Sequence, residues 1–234
     1  MKRYIYLFLL PILACNPQET SLESNAPKGP WFGIEPTSEP AMLLPGVVST
    51  RFGEYNGCFG DDGKRFYYSV SLPGYDAIME VKMLPDSSWS EPEIASFSGK
   101  YEEYDPLISP DGQRLLISSH RPVGGIEPSD RSRIFMMKKE PDGNWSEPEH
   151  LFLGDNGEYF SSITNDGTIY YNVWNDGDMY KATPFPNGYA TERLNDTLNS
   201  TNGDGDPFIA LDESYLIFRS YRDGGFGNGD LYIS

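Results

Sequence analysis

Four segments of the chain repeat one pattern, in which a short apolar run, a turn containing aspartate and a second apolar run follow one another. The segments are "FGDDGKRFYYS" (59–69), "ISPDGQRLLIS" (108–118), "ITNDGTIYYNV" (163–173) and "IALDESYLIFR" (209–219). Their turn aspartates lie 49, 55 and 46 residues apart, at Asp62, Asp111, Asp166 and Asp212. A period of about fifty residues indicates an architecture that is built from adjacent copies of one small unit.

Each unit has the composition of short antiparallel strands. The runs after the turns, such as "RFYYSV" and "RLLISS", are rich in aromatic and branched residues, which strands favour. Asp-Gly between two such runs favours a tight hairpin turn. A third run and a fourth element led by tryptophan follow in the first two units. We therefore predict an all-β β-propeller with four recognisable blades of four-stranded antiparallel sheet, the last blade being incomplete.

Two stretches carry a family resemblance. "PLISPDGQRLLISSHRPVGG" (106–125) and "DPFIALDESYLIFRSYRDGGFGNGDLYIS" (206–234) resemble the TolB-type, WD-like propeller repeat of bacterial envelope lipoproteins. The resemblance covers residues 31–234, and it implies a single propeller domain with blades at about 51–97, 101–153, 156–194 and 203–234. It is poor evidence for function, because many unrelated activities share this scaffold.

The fourth repeat reaches Ser234 in its third strand, which leaves two interpretations. Either the ring is truncated or open, or the segment "LLPGVVST" (43–50) supplies the missing outer strand and closes a four-bladed ring. An open end would leave unpaired backbone groups at a sheet edge, which favours aggregation.

The N-terminal residues have the features of a lipoprotein signal. Residues 1–14 combine a basic start with the apolar run Tyr4 to Leu13, which is too short to span a bilayer as a helix. Cys15 follows a small residue, as in the lipobox of bacterial lipoproteins, and the resemblance implies that its thiol carries fatty acyl chains such as palmitate. An ordinary signal peptide with a chance cysteine is the alternative. Residues 15–30 read as a flexible tether, so we expect a lipid-anchored protein of the bacterial cell envelope.

The charge of the chain limits its partners. The formal net charge is −17, and such a surface repels the phosphates of nucleic acids. Divalent cations and cationic or neutral ligands stay open. No cofactor is expected, except that the Asp- and Asn-rich stretch "TNGDGDPFIALDES" (201–214) offers oxygen ligands for Ca²⁺, without the spacing of an EF-hand. No catalytic metal or nucleophile motif occurs in the sequence.

The first strands of the repeats suggest a binding site. An acidic residue precedes each turn aspartate by eight positions, at Glu54, Glu103, Glu158 and Asp204. The first strand of a propeller blade lines the central channel, so these four acids are the candidate channel-mouth cation or ligand site, and Asp105 and Asp206 add charge nearby. The structural alternative is that each acid accepts a hydrogen bond from a neighbouring blade's backbone.

Two functions follow from these features. The first is a non-catalytic, envelope-anchored module that binds an envelope protein or a glycan, or acts as a scaffold. The alternative is a glycan-active hydrolase, either sialidase-like or a carboxylate-pair glycosidase, that uses the channel-mouth acids. The second function requires two carboxylates about 5–10 Å apart.

Overall fold

The structure, a computed structural model, describes residues 27–35, 37–124, 131–154 and 157–234. In this part of the chain, fifteen strands form four separate antiparallel sheets, and one short 3-10 turn occurs at Pro30–Gly33. The predicted signal, Cys15 and most of the predicted tether lie outside the described residues. Among the residues that are described, no helix has the length and apolar character that crossing a bilayer requires.

Within each sheet the strands follow one another in chain order. Blade one contains β1 (Gly53–Gly60), β2 (Arg65–Leu72), β3 (Tyr75–Lys82) and β4 (Glu93–Ile94), and blade two contains β5 (Glu103–Ile108), β6 (Arg114–Ser119), β7 (Arg133–Lys138) and β8 (Glu149–His150). Blade three contains β9 (Glu158–Ile163), β10 (Ile169–Val173), β11 (Met179–Phe185) and β12 (Gly188–Arg193), and blade four contains β13 (Asp204–Ile209), β14 (Leu216–Ser220) and β15 (Asp230–Ile233). The predicted all-β propeller of four blades, the last one incomplete, is confirmed.

The hydrophobic core lies in layers between neighbouring blades. Each layer joins second- and third-strand residues of one blade to the facing sheet of the next blade. Ile78 and Ile117 lie in the layer between blades one and two, Ile134 and Tyr171 in the layer between blades two and three, and Met179 and Phe218 in the layer between blades three and four. All of these residues are at most 3% exposed. Because a sheet has two faces, blades two and three each contribute to two layers.

The N-terminal segment covers the other face of blade one. Phe32 is 2% exposed, and its ring centroid lies 4.2 Å from that of Trp89. Val48 packs in the same cluster as Phe32 and Phe66 of blade one. This layer replaces a neighbouring blade at the start of the chain.

The same packing decides between the two interpretations of the ring. The segment 43–50 pairs with itself, through an isolated bridge between Pro45 and Ser49, and its apolar side chains contact blade one. The strands of blade four pack against blade three, and none is in extensive contact with a strand of blade one in the described part of the chain. The alternative in which 43–50 supplies the outer strand of blade four is therefore wrong, because burying Val48 against blade one commits that segment to the opposite end.

The tryptophans that lead the fourth elements are structural. The indole nitrogen of Trp145 in blade two donates a hydrogen bond of 2.8 Å to the hydroxyl of Tyr67 in blade one. The indole nitrogen of Trp89 donates to the carbonyl of Gly29 at 3.0 Å. Each side chain therefore fixes its blade against the element before it.

Candidate functional site

Every first strand contains a bulge near its start. The ladder between the first and second strands shifts register after Tyr55, after Tyr104, next to Tyr159 and after Gly205. The bulged residues have positive φ angles of 42°, 54°, 45° and 55°, at Asn56, Asp105, Phe160 and Asp206. Asn and Asp tolerate this left-handed conformation better than other non-glycine residues, whereas for phenylalanine it is strained. A bulge bends its strand and redirects a side chain.

A hydrogen bond between blades fixes three of these bulges. In each case the backbone amide of the bulged residue donates to a buried polar side chain on the second strand of the preceding blade. The pairs are Asp105 to Ser69 at 2.9 Å, Phe160 to Ser118 at 3.2 Å, and Asp206 to Asn172 at 2.8 Å. The three acceptor residues are at most 1% exposed, so the bulges are held rigidly and in the same way.

The bulges surround a cavity of about 510 Å³ to which all four blades contribute. One part of its wall is aromatic, and consists of Tyr55, Tyr104, Tyr159, Phe160 and Trp174. The ring of Tyr159 stacks on that of Trp174 with their centroids 4.3 Å apart. The other part is polar, and consists of Asn56, Asp76, Glu102, Asp105, His120 and Asp206. We call this cavity the channel-mouth cavity.

Asp105 is the most buried carboxylate in the channel-mouth cavity, with 7% of its surface exposed. It accepts hydrogen bonds from the side-chain amide of Asn56 and, at 3.4 Å, from the hydroxyl of Ser118. Burial raises the pKa of Asp105 to about 6, and the negative charge of Asp206 acts in the same direction. The carboxylate therefore gains a proton more readily than an exposed aspartate does.

Two other carboxylates of the cavity, Asp76 and Asp206, are held in pairs. The hydroxyl of Tyr55 donates to Asp76 at 2.7 Å, and burial is the main cause of the raised pKa of Tyr55. Asp206 accepts a hydrogen bond of 2.6 Å from Nε of Arg219, whose guanidinium lies over the ring of Tyr221. The cavity thus presents carboxylates beside aromatic faces, and the arginine at its edge is already paired.

Two of the four predicted acids, Glu103 and Asp204, form buried ion pairs with arginines of their own blades. Glu103 is 0% exposed, and its carboxylate accepts hydrogen bonds from Arg121 at 2.8 Å and from the backbone amide of Gly99 at 3.0 Å. Asp204 accepts from Arg222 at 2.9 Å and from the backbone amide of Ser200. Gly99 and Ser200 belong to the linkers that enter these blades, so each carboxylate ties its blade to the preceding linker.

The remaining two predicted acids, Glu158 and Glu54, have contacts that differ from those of Glu103 and Asp204 and from each other. Glu158 is 1% exposed, and its carboxylate lies 3.8 Å from Nε of Arg133 in blade two. Glu54 is half-buried, accepts a hydrogen bond from the hydroxyl of Thr50, and lines a groove on the outer side of blade one. The structure therefore places the four acids at equivalent strand positions but does not bring their carboxylates together in the channel-mouth cavity. A cation or ligand site at these residues stays a prediction.

The cavity is formed instead by residues one and two positions further along each first strand. One feature of the sequence could have predicted the two ion pairs: the spacing from Glu103 to Arg121 and the spacing from Asp204 to Arg222 are both 18 residues. Within the part of the chain that is described, no group of three or more His, Cys, Asp or Glu side chains is arranged to hold a metal ion. The Ca²⁺ site suggested for residues 201–214 stays a prediction as well.

Comparisons with known proteins identify the fold. No family model and no curated protein matches the sequence. Among solved structures, a TolB protein from Agrobacterium tumefaciens is 21% identical, with a TM-score of 0.56, and the alignment covers 80% of this chain and 60% of that one. TolB from Acinetobacter baumannii is 18% identical, with a TM-score of 0.54, and 80% of this chain and 42% of that one are covered. The chain thus spans about half the length of these structures, and at this identity the likeness shows a TolB-like propeller fold.

Proposed function

We propose that this chain is a non-catalytic binding module of the bacterial cell envelope, anchored through a lipid on Cys15, that holds a basic segment of a partner protein in its channel-mouth cavity. The sequence supports the anchor, through the signal-like residues 1–14 and the cysteine that follows them. The TolB-like fold supports a binding role, since a propeller presents a rigid concave site at the end of its channel.

The observation that carries the proposal is the composition of the channel-mouth cavity. Its aromatic faces, such as the stacked pair Tyr159 and Trp174, lie beside the carboxylates of Asp76, Asp105 and Asp206. A lysine or arginine side chain can bind to both parts of the wall, because its positively charged group pairs with carboxylates and is also attracted to the faces of aromatic rings. The net charge of −17 would also attract a basic partner from a distance.

Truncating Trp174 tests the proposal. The full chain would be titrated with octapeptides of glycine and serine that contain one arginine, one lysine or, as a neutral match, one norleucine. We expect binding of the arginine and lysine peptides only, and we expect Trp174→Ala to weaken it about tenfold because one cation–π contact is lost. Phe185→Ala is the matched control, since Phe185 is exposed to a similar degree outside the cavity.

Two results would count against the proposal. Equal binding of the norleucine peptide would show that the cation is not recognised. Binding of neutral oligosaccharides that also depends on Trp174, without binding of any basic peptide, would instead assign the aromatic wall to a glycan.

Glycan hydrolysis is the second candidate function, and Asp105 is the observation in its favour. A buried carboxyl group with a pKa of about 6 can donate a proton to a leaving group, and Asp206 supplies a second carboxylate whose charge acts on it. The test is turnover of chromogenic glycosides by the full chain and by Asp105→Asn. Activity that falls as the pH rises above about 6, and that disappears in the variant, would favour the hydrolase over the binding module.

A further inference from the structure

A second cleft lies at the other end of the first strands, away from the channel-mouth cavity. The bulges of blades one and two lie near the starts of β1 and β5, whereas the turns that follow these strands, 61–64 and 109–113, line a cleft of about 570 Å³. Trp31 and Lys139 also belong to its wall. All of the described residues that line it lie between 31 and 139, so the N-terminal segment and blades one and two form it. We call it the Trp31 cleft.

Trp31 is held at this cleft by a strained backbone. Its φ angle is 50° and that of Phe32 is 57°, a left-handed conformation that is strained for bulky residues. Burial of Phe32 against blade one and a hydrogen bond of 2.7 Å from the amide of Trp31 to the carbonyl of Gly63 maintain this conformation. Trp31 is nevertheless 52% exposed. The strain therefore presents a large aromatic side chain to solvent.

Gly63 supports one face of the indole ring of Trp31. A Cβ atom on this glycine would overlap Cδ2, Cε2 and Cγ of the indole. The bond between Cδ2 and Cε2 is shared by the two rings of the indole, so Gly63 can approach it only from above or below the ring plane. The exposed surface of Trp31 therefore lies mainly on the opposite face, which forms a flat apolar platform.

Most of the charged groups in the wall of the cleft are already paired. Asp61 forms ion pairs with Lys139 of blade two and, at 3.1 Å, with Arg65 of its own blade. The first of these pairs connects blade one with blade two across the cleft. Asp111 lies 3.4 Å from Nη2 of Arg114. The charges of these groups therefore largely cancel one another.

Two charged side chains and one amide are available to a ligand. Asp62 and Lys64 are exposed, and their side chains make no hydrogen bond or ion pair with the described residues. Their charges are opposite, so together they carry no net charge. The side-chain amide of Gln113 donates to the carbonyl of Asp111 at 3.3 Å, which leaves its oxygen as an acceptor. The cleft thus offers a carboxylate that accepts hydrogen bonds, an ammonium group that donates them and an amide that does both.

We propose that the Trp31 cleft binds a neutral sugar, with the C–H face of a pyranose ring on the indole of Trp31 and the hydroxyl groups of the sugar on Asp62, Lys64 and Gln113. A pyranose ring combines an apolar face with an edge of hydroxyl groups, and the platform and the three polar side chains match this combination. Because the unpaired groups carry no net charge, the cleft favours a neutral ligand over a cation or an anion. Its volume lies within the range of ligand sites, roughly 300–1,000 Å³. The site does not depend on the function proposed for the channel-mouth cavity.

Calorimetric titration of the full chain in mild detergent tests the proposal, with neutral trisaccharides of glucose, N-acetylglucosamine, mannose and galactose as the probes. We expect at least one of them to bind with a millimolar or lower dissociation constant. Trp31→Ala should weaken that binding about tenfold or more, because the platform is lost, whereas Trp31→Tyr should retain most of the affinity. Trp174→Ala is the matched control, since Trp174 is 47% exposed but lines the channel-mouth cavity, and this variant should bind like the parent.

A second variant, Asp62→Asn, separates sugar recognition from folding. Asp62 is exposed, and asparagine accepts its positive φ angle of 54°, so the variant retains its fold, which circular dichroism checks. Its affinity for the same trisaccharide should fall about fivefold, because a neutral amide oxygen accepts a weaker hydrogen bond than a carboxylate does.

Four results would overturn the proposal. The first is that none of the trisaccharides binds at 20 mM. The second is binding that Trp31→Ala and Asp62→Asn leave unchanged. The third is binding that is lost in Trp174→Ala, which would place the sugar in the channel-mouth cavity. The fourth is tighter binding of glucosamine or glucuronic acid than of glucose, which would show that the cleft recognises a charge.

Discussion

Replacing Arg121 with methionine is expected to lower the free energy of unfolding by about 3–5 kcal/mol, the usual cost of removing one partner from a buried ion pair. The carboxylate of Glu103 is fully buried, so the variant leaves an uncompensated charge in the interior. Arg121 also donates to the carbonyl of Phe97 at 3.1 Å, and its guanidinium lies over the ring of Phe135. The linker that joins blades one and two therefore loses one of its attachments while keeping the bond from Gly99 to Glu103, and urea unfolding would measure the loss.

Two further variants show whether the buried charge is the cause. Arg193→Met removes surface ion pairs with Asp178 and Asp196 and is expected to cost less than about 1 kcal/mol. Adding Glu103→Gln to Arg121→Met should restore part of the stability, because it removes the unpaired charge. If Arg121→Met is no more destabilising than Arg193→Met, the ion pair does not hold the blade in place.

Replacing Asp105 with asparagine is expected to stabilise the protein at pH 7, by up to about 3 kcal/mol. Burial raises the pKa of Asp105 to about 6, from a usual value of about 4, and each pH unit of difference corresponds to about 1.4 kcal/mol. The folded chain holds this proton more tightly than the unfolded chain. The stability that Asp105 contributes is thus fully present below about pH 4 and is lost as the pH rises to about 6. Asparagine is neutral throughout and accepts the same left-handed backbone.

The measurement is urea unfolding of the parent and of Asp105→Asn at pH 4 and pH 7. The gain in the free energy of unfolding should be largest at pH 7 and should nearly vanish at pH 4. Asp206→Asn is the matched variant at the equivalent bulge, and it should not show this gain because Asp206 is paired with Arg219. A loss of stability in Asp105→Asn at pH 7 would show that the ionised carboxylate is favourable at the channel mouth. A carboxylate that is kept there at a cost to folding is the expected sign of a site retained for binding.

The sequence allowed the blades to be predicted because their signals are local. Turns such as that at Asp111, which accepts hydrogen bonds from Ser109 and Gln113, are built by neighbouring residues and recur in register. The role of the N-terminal segment could not be predicted in the same way. Burial of Phe32 and Val48 against blade one is a tertiary contact between segments that no local pattern connects.

The candidate site was located only approximately from the sequence. The opening acids were placed near the channel, but the bulges redirect the chain, so that the residues one and two positions later line the cavity. Asn56, Asp105 and Asp206 suit a left-handed backbone, whereas Phe160 at the bulge of blade three gives no such signal. The pairing of Glu103 with Arg121 was signalled only by the spacing of 18 residues that recurs between Asp204 and Arg222, because Arg121 lies beyond the second strand and reaches the acid only in the folded sheet.

The most direct test of the central claim is a nuclear magnetic resonance titration of the ¹⁵N-labelled full chain with the arginine octapeptide. The chain has four tryptophans, and the indole signal of Trp174 can be assigned by comparison with Trp174→Phe. If the channel-mouth cavity receives basic side chains, that indole signal should shift together with the backbone amide signals of Asn56, Asp105, Phe160 and Asp206. All of these shifts should fit one dissociation constant, and the indole signals of Trp89 and Trp145 should not shift. Shifts spread over the acidic surface, or a Trp174 signal that does not move at a saturating peptide concentration, would contradict the claim.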